Sequence, residues 1–163
     1  MNNKLKLEDQ LCFKIYSISK SIIRIYGPLL KNIGLTYPQY LIMMVLWQDN
    51  KIEFKNMSFK LKMKTGTLTP IITKLENKGY LNRVKNSTDD RKIYIEITEK
   101  GIDLEEKSKN IPKELGCKIK LNPKEYFRYL KDFNELIEKL DYIENIIYMN
   151  PIFDAVSCHK YDT

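Results

Sequence analysis

Apolar residues recur at spacings of three or four through most of this chain, and the period changes to two only around residues 81–97. Leu7, Leu11, Ile15, Ile18, Ile22 and Ile25 predict a long first helix from about Leu5 to Leu30, ended or kinked by Pro28. Thr36-Tyr-Pro-Gln39 is a capping box with proline just inside the start, opening a helix to about Asp49. Its run Tyr40–Trp47 is apolar all round, which predicts a central, buried helix. Phe54, Met57 and Leu61 mark a short third helix. Leu68, Ile71, Ile72 and Leu75 fall at i, i+3, i+4 and i+7, predicting a helix within Lys64–Gly79 that Gly79 stops. A start at Thr67 would put Pro70 in the first turn at little cost. Leu81–Lys85 and Ile93–Ile97 read as strands, the isoleucines of the second alternating onto one face. Thr98 caps a helix to about Asn110, broken by Pro112, and Asn122-Pro-Lys-Glu125 is a second capping box. It opens a final helix to about Tyr148, with Phe127, Leu130, Phe133, Ile137, Leu140 and Ile143 on one side.

The face of the 64–79 helix opposite its apolar stripe carries Gly66, Pro70, Thr73, Lys74 and Asn77, flanked by Thr65, Thr67 and Thr69. Small polar groups can approach a base edge and cations can neutralise phosphates, so this face suits a DNA major groove. Taken alone, such a face is more often a plain solvated surface. The hairpin that follows shifts the reading toward a winged helix-turn-helix, a mainly α fold with a small β wing. Arg83 and Lys85 on the first wing strand are candidate DNA contacts, as are Asp89 and Arg91 in the loop Asn86–Lys92. Arg91 at the tip would suit a narrow minor groove. Alternatively, Asp89 holds Arg91 through a paired hydrogen bond.

Charge agrees with a polyanionic partner. Twenty-eight Lys and Arg stand against 21 Asp and Glu, a net charge of +7. Only four of the cations are arginine, so most of the charge suits phosphate neutralisation more than base reading. No apolar run approaches the roughly 18 residues of a membrane span, and the Met-Asn-Asn-Lys-Leu-Lys start lacks the apolar centre of a secretion signal. A cytoplasmic protein is therefore expected, its three cysteines resting as thiols. No metal-ligand spacing or cofactor loop is present: Cys158-His159 alone falls short of a zinc site.

The terminal helices, about 5–34 and 111–148, carry apolar stripes longer than the compact middle (36–103) can cover. They are expected to pack on a second copy, leaving 149–163 as a tail. A twofold dimer would also present two reading helices to successive major-groove faces of a palindromic operator. The alternative is that the two helices pack on each other within one chain.

The order of these elements resembles the MarR family of dimeric winged-helix regulators, and Ile97-Thr-Glu-Lys-Gly101 after the wing is similar to a family hallmark. Leu7-Glu-Asp-Gln-Leu-Cys-Phe13, Leu35-Thr-Tyr-Pro-Gln-Tyr40 and Gly66-Thr-Leu-Thr-Pro70 resemble the organic-hydroperoxide-sensing (OhrR-type) branch almost letter for letter. Lys64 and Thr65 depart from an Asp and a Ser common there, so base contacts are not carried over.

The resemblance implies a repressor whose peroxide sensor is Cys12, hydrogen-bonded by the phenols of Tyr26 and Tyr37. Residues 12 and 26 on one helix are separated by about 21 Å, so Tyr26 must serve the thiol of a partner. The first helix as read here begins near Leu5, leaving Cys12 beyond its first turn and the helix dipole a small influence. The resemblance further implies Cys117, in the segment Ile111–Cys117 joining the last two helices, as the partner chain's resolving thiol. Cys158 is an alternative resolver. Closing such a bond requires Cα atoms within about 7 Å, and any movement needed to achieve it would alter the spacing of the reading heads. Two other functions fit the residues: a regulator of the same family responding to a small ligand with Cys12 inert, and a thiol peroxidase using Cys12 and Cys117.

Overall fold

The computed structural model describes residues 5–85, 89 and 92–149. They divide into two compact units, split between Lys118 and Ile119. Arg91, Cys158 and His159 lie outside the described residues.

The first unit holds α1 (Leu11–Lys31), α2 (Tyr37–Asp49), β1 (Lys51–Glu53), α3 (Phe54–Lys60) and α4 (Thr65–Asn77). These are followed by β2 (Leu81–Lys85), β3 (Ile93–Ile97), α5 (Glu99–Ser108) and α6, which spans Ile111–Ile119. The fold is mainly helical, with a small antiparallel sheet of order β1-β3-β2. Its strands place Leu81 opposite Ile97, and both Arg83 and Ile52 opposite Ile95. The core sits where α2 and α4 meet this sheet: Ile42, Met43, Leu46, Leu68, Ile72, Leu75, Leu81 and Ile95 are fully buried. Leu30 and Met57 close it from α1 and α3. α2 is central, as its unbroken apolar run requires, and Gln39 completes its capping box by accepting the Thr36 N–H at 3.0 Å.

Three local readings of the sequence change. The first helix begins at Leu11, after a 3-10 turn at Leu7–Asp9 and an extended Gln10, not near Leu5. Leu5 and Leu7 are 90% and 60% exposed, so no packing sustains helix there. Pro28 does not end α1, because its ring and the Arg24 carbonyl it leaves unbonded lie on an exposed face while Leu29 and Leu30 anchor the last turn. Pro112 sits at the second position of α6, where no N–H is needed, so Cys117 lies on a helix and not in a connecting segment.

β1 has no counterpart in the sequence reading. Lys51-Ile-Glu53 is too short for a period to register, and its partner Ile95 is remote in the chain. α4 starts at Thr65, two residues before the position that would seat Pro70 in its first turn. It ends in a Schellman motif: Gly79 has φ +73°, its N–H reaches Glu76 O at 2.8 Å, and Tyr80 N–H reaches Leu75 O at 3.1 Å.

The second unit contains α7 (Pro123–Met149). Its capping box is complete, with Asn122 N–H on Glu125 Oε2 at 3.0 Å and Glu125 N–H on Asn122 Oδ1 at 2.9 Å. Every residue of its predicted stripe from Phe127 to Ile143 is exposed in the single chain.

Candidate functional site

α4 presents its apolar stripe inward, with Leu68, Ile72 and Leu75 buried, and leaves Thr65, Gly66, Thr67, Thr69, Pro70, Lys74 and Asn77 exposed. Thr69 and Thr73 turn their hydroxyls back onto the helix, donating to the carbonyls of Thr65 (2.9 Å) and Thr69 (3.0 Å). Lys74 and Lys85 are exposed cations with no described ion pair. Arg83 is differently placed. Paired across from Ile95, it shares the inner face of the sheet, and its guanidinium forks between the Glu76 carboxylate, the Thr73 hydroxyl (2.8 Å) and the Thr69 carbonyl (3.2 Å). Asp89 is half-buried, and its carbonyl accepts the Lys92 N–H at 3.0 Å.

A tight joint fixes the hairpin to α5. Thr98 caps α5 by accepting the Gly101 N–H at 3.1 Å, and its hydroxyl donates to Gly79 O at 2.7 Å. A Cβ on Gly101 would stand 2.2 Å from the Tyr80 carbonyl oxygen, so only glycine fits. Trp47 donates its indole N–H to the Gly101 carbonyl at 2.9 Å.

From Trp47 a row of rings runs back along α2 to the end of α1. Tyr40 lies 5.9 Å from Trp47 and 5.9 Å from Tyr26, and Tyr26 lies 4.9 Å from Tyr37. The two phenols singled out in the sequence are therefore brought together, while Tyr40 and Trp47, which extend the row, were not among the residues it singled out. Burial pushes the Tyr37 phenol above its usual value; burial, then the neighbouring Tyr37 charge, does the same to Tyr40. Both stay protonated donors at neutral pH. Beside them an open groove of about 780 Å³ is lined by Tyr37, Thr36, Lys31, Lys74 and Lys78 among others. Lys78 crosses from the end of α4 to donate to the Gly34 carbonyl at 2.5 Å.

Cys12 is not brought to these phenols within the chain. It is an exposed free thiol at the second residue of α1, in the first turn, 14 residues and about 21 Å of helix before Tyr26. Its position corrects the expectation that it lies beyond the first turn, because the helix begins at Leu11 and not near Leu5. Cys117 is a second exposed free thiol on α6, between Lys113 and Lys118 in a shallow cleft. Among the described residues, no cluster of three or more His, Cys, Asp or Glu is placed to hold a metal. No described helix is long and apolar enough to cross a membrane.

Comparison with known proteins decides the family. The family of SarA/Rot transcriptional regulators matches residues 24–108, more than half of the chain. The organic hydroperoxide resistance transcriptional regulator of Bacillus subtilis (strain 168) is 40% identical over 115 residues, 69% of this chain and 78% of the relative. This chain belongs to the SarA/Rot-type MarR-family winged-helix regulators. As a member of that family it is a DNA-binding transcriptional regulator and not an enzyme. The solved structure of reduced AbfR bound to DNA is similar at a TM-score of 0.74 and 29% identity, over 84% of this chain and 94% of AbfR. Disulfide-formed AbfR is similar at 0.60 and 29% identity, over 85% and 92%.

Proposed function

We propose that this regulator is a homodimeric, cytoplasmic repressor that holds a palindromic operator while Cys12 is a thiol and releases it when an organic hydroperoxide oxidises that sulfur. One observation carries the reading. The phenols of Tyr26 and Tyr37 lie together at one end of α1 while Cys12 lies exposed in the first turn at the other, so only a second copy can bring thiol and phenols together. Uncovered apolar residues of α1, among them Leu11, Tyr16, Ile18 and Ile23, supply the surface for that copy. A relative named for organic hydroperoxide resistance supports the signal, and the reduced, DNA-bound and disulfide-formed structures of AbfR support a thiol-controlled state.

The chemistry follows from the groups. The Cys12 sulfur, as the thiolate that is the attacking form of any cysteine and with the partner's phenols as its hydrogen-bond donors, attacks the terminal oxygen of ROOH. The O–O bond breaks, RO⁻ takes a proton and leaves as the alcohol, and Cys12 becomes a sulfenic acid. The Cys117 thiol of the partner subunit then attacks that sulfur, forming the disulfide and releasing water. On the duplex, Thr65, Thr67, Thr69, Pro70, Thr73 and Lys74 face the major groove. Lys85 and the loop with Asp89 and Arg91 reach the flanking backbone and minor groove.

Cys12→Ser tests the reading. The variant is expected to bind operator normally and to stay bound after cumene hydroperoxide; release equal to that of the unaltered protein would contradict it. A disulfide-linked dimer seen on a non-reducing gel and lost in Cys117→Ser is expected. A band that persists would transfer the resolving role to Cys158. The groove beside Tyr37, with its three lysines, supports a second reading in which a small anionic ligand causes release and Cys12 is inert. Unchanged induction in Cys12→Ser would favour it.

A further inference from the structure

Recognition helix and wing must be held at a fixed angle if both are to engage one duplex. Among the described residues an ionic knot joins them. The Glu76 carboxylate, on α4, takes the Arg83 backbone N–H on Oε1 at 3.0 Å and the Arg83 guanidinium on Oε2. The other guanidinium nitrogen bonds the Thr73 hydroxyl at 2.8 Å and the Thr69 carbonyl at 3.2 Å. One strand residue is thus tied to α4 at three successive points, residues 69, 73 and 76, which lie about one helical turn apart. The pair is 28% and 30% exposed, so water screens it less than it would a surface ion pair. Its fork also satisfies acceptors that a point-charge lysine could not reach together.

We propose that Glu76 and Arg83 are a positioning pair that sets the wing against the recognition helix, and that Arg83 acts on the operator through this fork and not by touching phosphate. The proposal rests on the family's DNA-binding function and is independent of the redox reading. It reverses an ordinary electrostatic expectation. Glu76 is an acid on the helix that approaches a polyanion, so its neutralisation should tighten binding if it were a bystander. As half of the pair, its neutralisation loosens the wing and weakens operator binding.

The probe is a duplex enriched from a randomised pool by the unaltered dimer, with a non-enriched duplex of equal length beside it. Glu76→Gln keeps an acceptor for the Arg83 N–H and removes only the charge. It is expected to lose operator affinity by about tenfold while binding the non-enriched duplex as well as before or better. Arg83→Lys, which keeps the positive charge but not the fork, is expected to lose about as much. The double variant should lose little more than either single change, because both remove one joint. The salt dependence should keep its slope throughout. Equal or tighter operator binding by Glu76→Gln would overturn the pair. So would Arg83→Gln lowering the salt slope by about 0.9, the signature of one lost phosphate contact. If Glu76→Gln melts below the assay temperature, Arg83→Lys decides alone: undiminished affinity rejects the fork. Failure of the unaltered protein to enrich any duplex would remove the DNA-binding function and the pair with it.

Discussion

The reading head and the N-terminal half of α1 are built from the same kinds of residue, yet one is finished within the chain and the other is not. Between α4 and α5 the described backbone is tied at three places. A Schellman motif ends α4, Thr98 caps α5 while bonding Gly79, and Arg83 knots the wing to α4. The apolar stripe of α4 is buried to the last atom at Leu68, Ile72 and Leu75. Along α1, Leu11, Tyr16, Ile18 and Ile23 stay exposed, and the thiol at the start of the helix is remote from the Tyr26 phenol near its end. A part that must read a fixed half-site gains from being rigid. In the switch proposed above, a part that changes with oxidation gains from being completed by a second molecule, whose position can shift.

That contrast can be broken from either side. The largest effect is expected from Ile18→Asp on the open stripe of α1. A charge buried at each copy of the twofold contact should weaken self-association by roughly a hundredfold or more, measured by sedimentation. A dimer undisturbed by it would place the second copy elsewhere. Gly101→Ala attacks the closed region instead. Its Cβ meets the Tyr80 carbonyl and the Ile97 side chain, costing about 3 kcal/mol and lowering the thermal midpoint by about 6–12 °C. A midpoint within a degree of the original would show the joint to be slack.

The same contrast explains what was legible in the sequence. Elements whose signals are local came through intact: the Thr36 and Asn122 capping boxes, the Gly79 stop, and the Leu68–Leu75 stripe. β2 and β3 were bounded to the residue by their alternation. β1 was invisible because its only strong apolar residue, Ile52, finds its partner Ile95 far along the chain. The start of α1 was misplaced because periodicity reports where a stripe could run, not whether anything packs on it; Leu5 and Leu7 have nothing. Arg83 reads in the sequence as a candidate DNA contact, and the signal for its pairing with Glu76 lay in its register. Two residues after the buried Leu81, it shares the inner face, and Glu76 stands seven residues before it. The Tyr26–Tyr37 contact came from resemblance alone, since no spacing rule joins the end of one helix to the start of the next.

Smaller changes sharpen the picture. Thr98→Val removes one cap and the bond to Gly79, and is expected to cost about 1 kcal/mol in a urea titration. No measurable loss would mean that water replaces the hydroxyl. The phenols give the smallest effect. Burial raises Tyr37 and Tyr40 above their ordinary 10.0, so the unfolded chain ionises first. The stability they contribute is fully present below pH 10 and is lost as pH rises through the raised value. The urea midpoint should hold up to about pH 9 and fall by about pH 11, less so in Tyr37→Phe. An identical fall in that variant would mean that Tyr37 is solvated.

The most direct test of a sensor divided between two molecules is complementation. Cys12→Ser chains and Tyr26→Phe/Tyr37→Phe chains each form homodimers with no complete thiol–phenol site. Mixed dimers regain one, the remaining Cys12 meeting the phenols of the serine-bearing partner. The mixed dimers should recover rapid sulfenic acid formation with cumene hydroperoxide, at about half the yield per mixed dimer of the unaltered dimer, since each holds one complete site of two. A mixed dimer that reacts no faster than the phenylalanine variant alone would contradict the account.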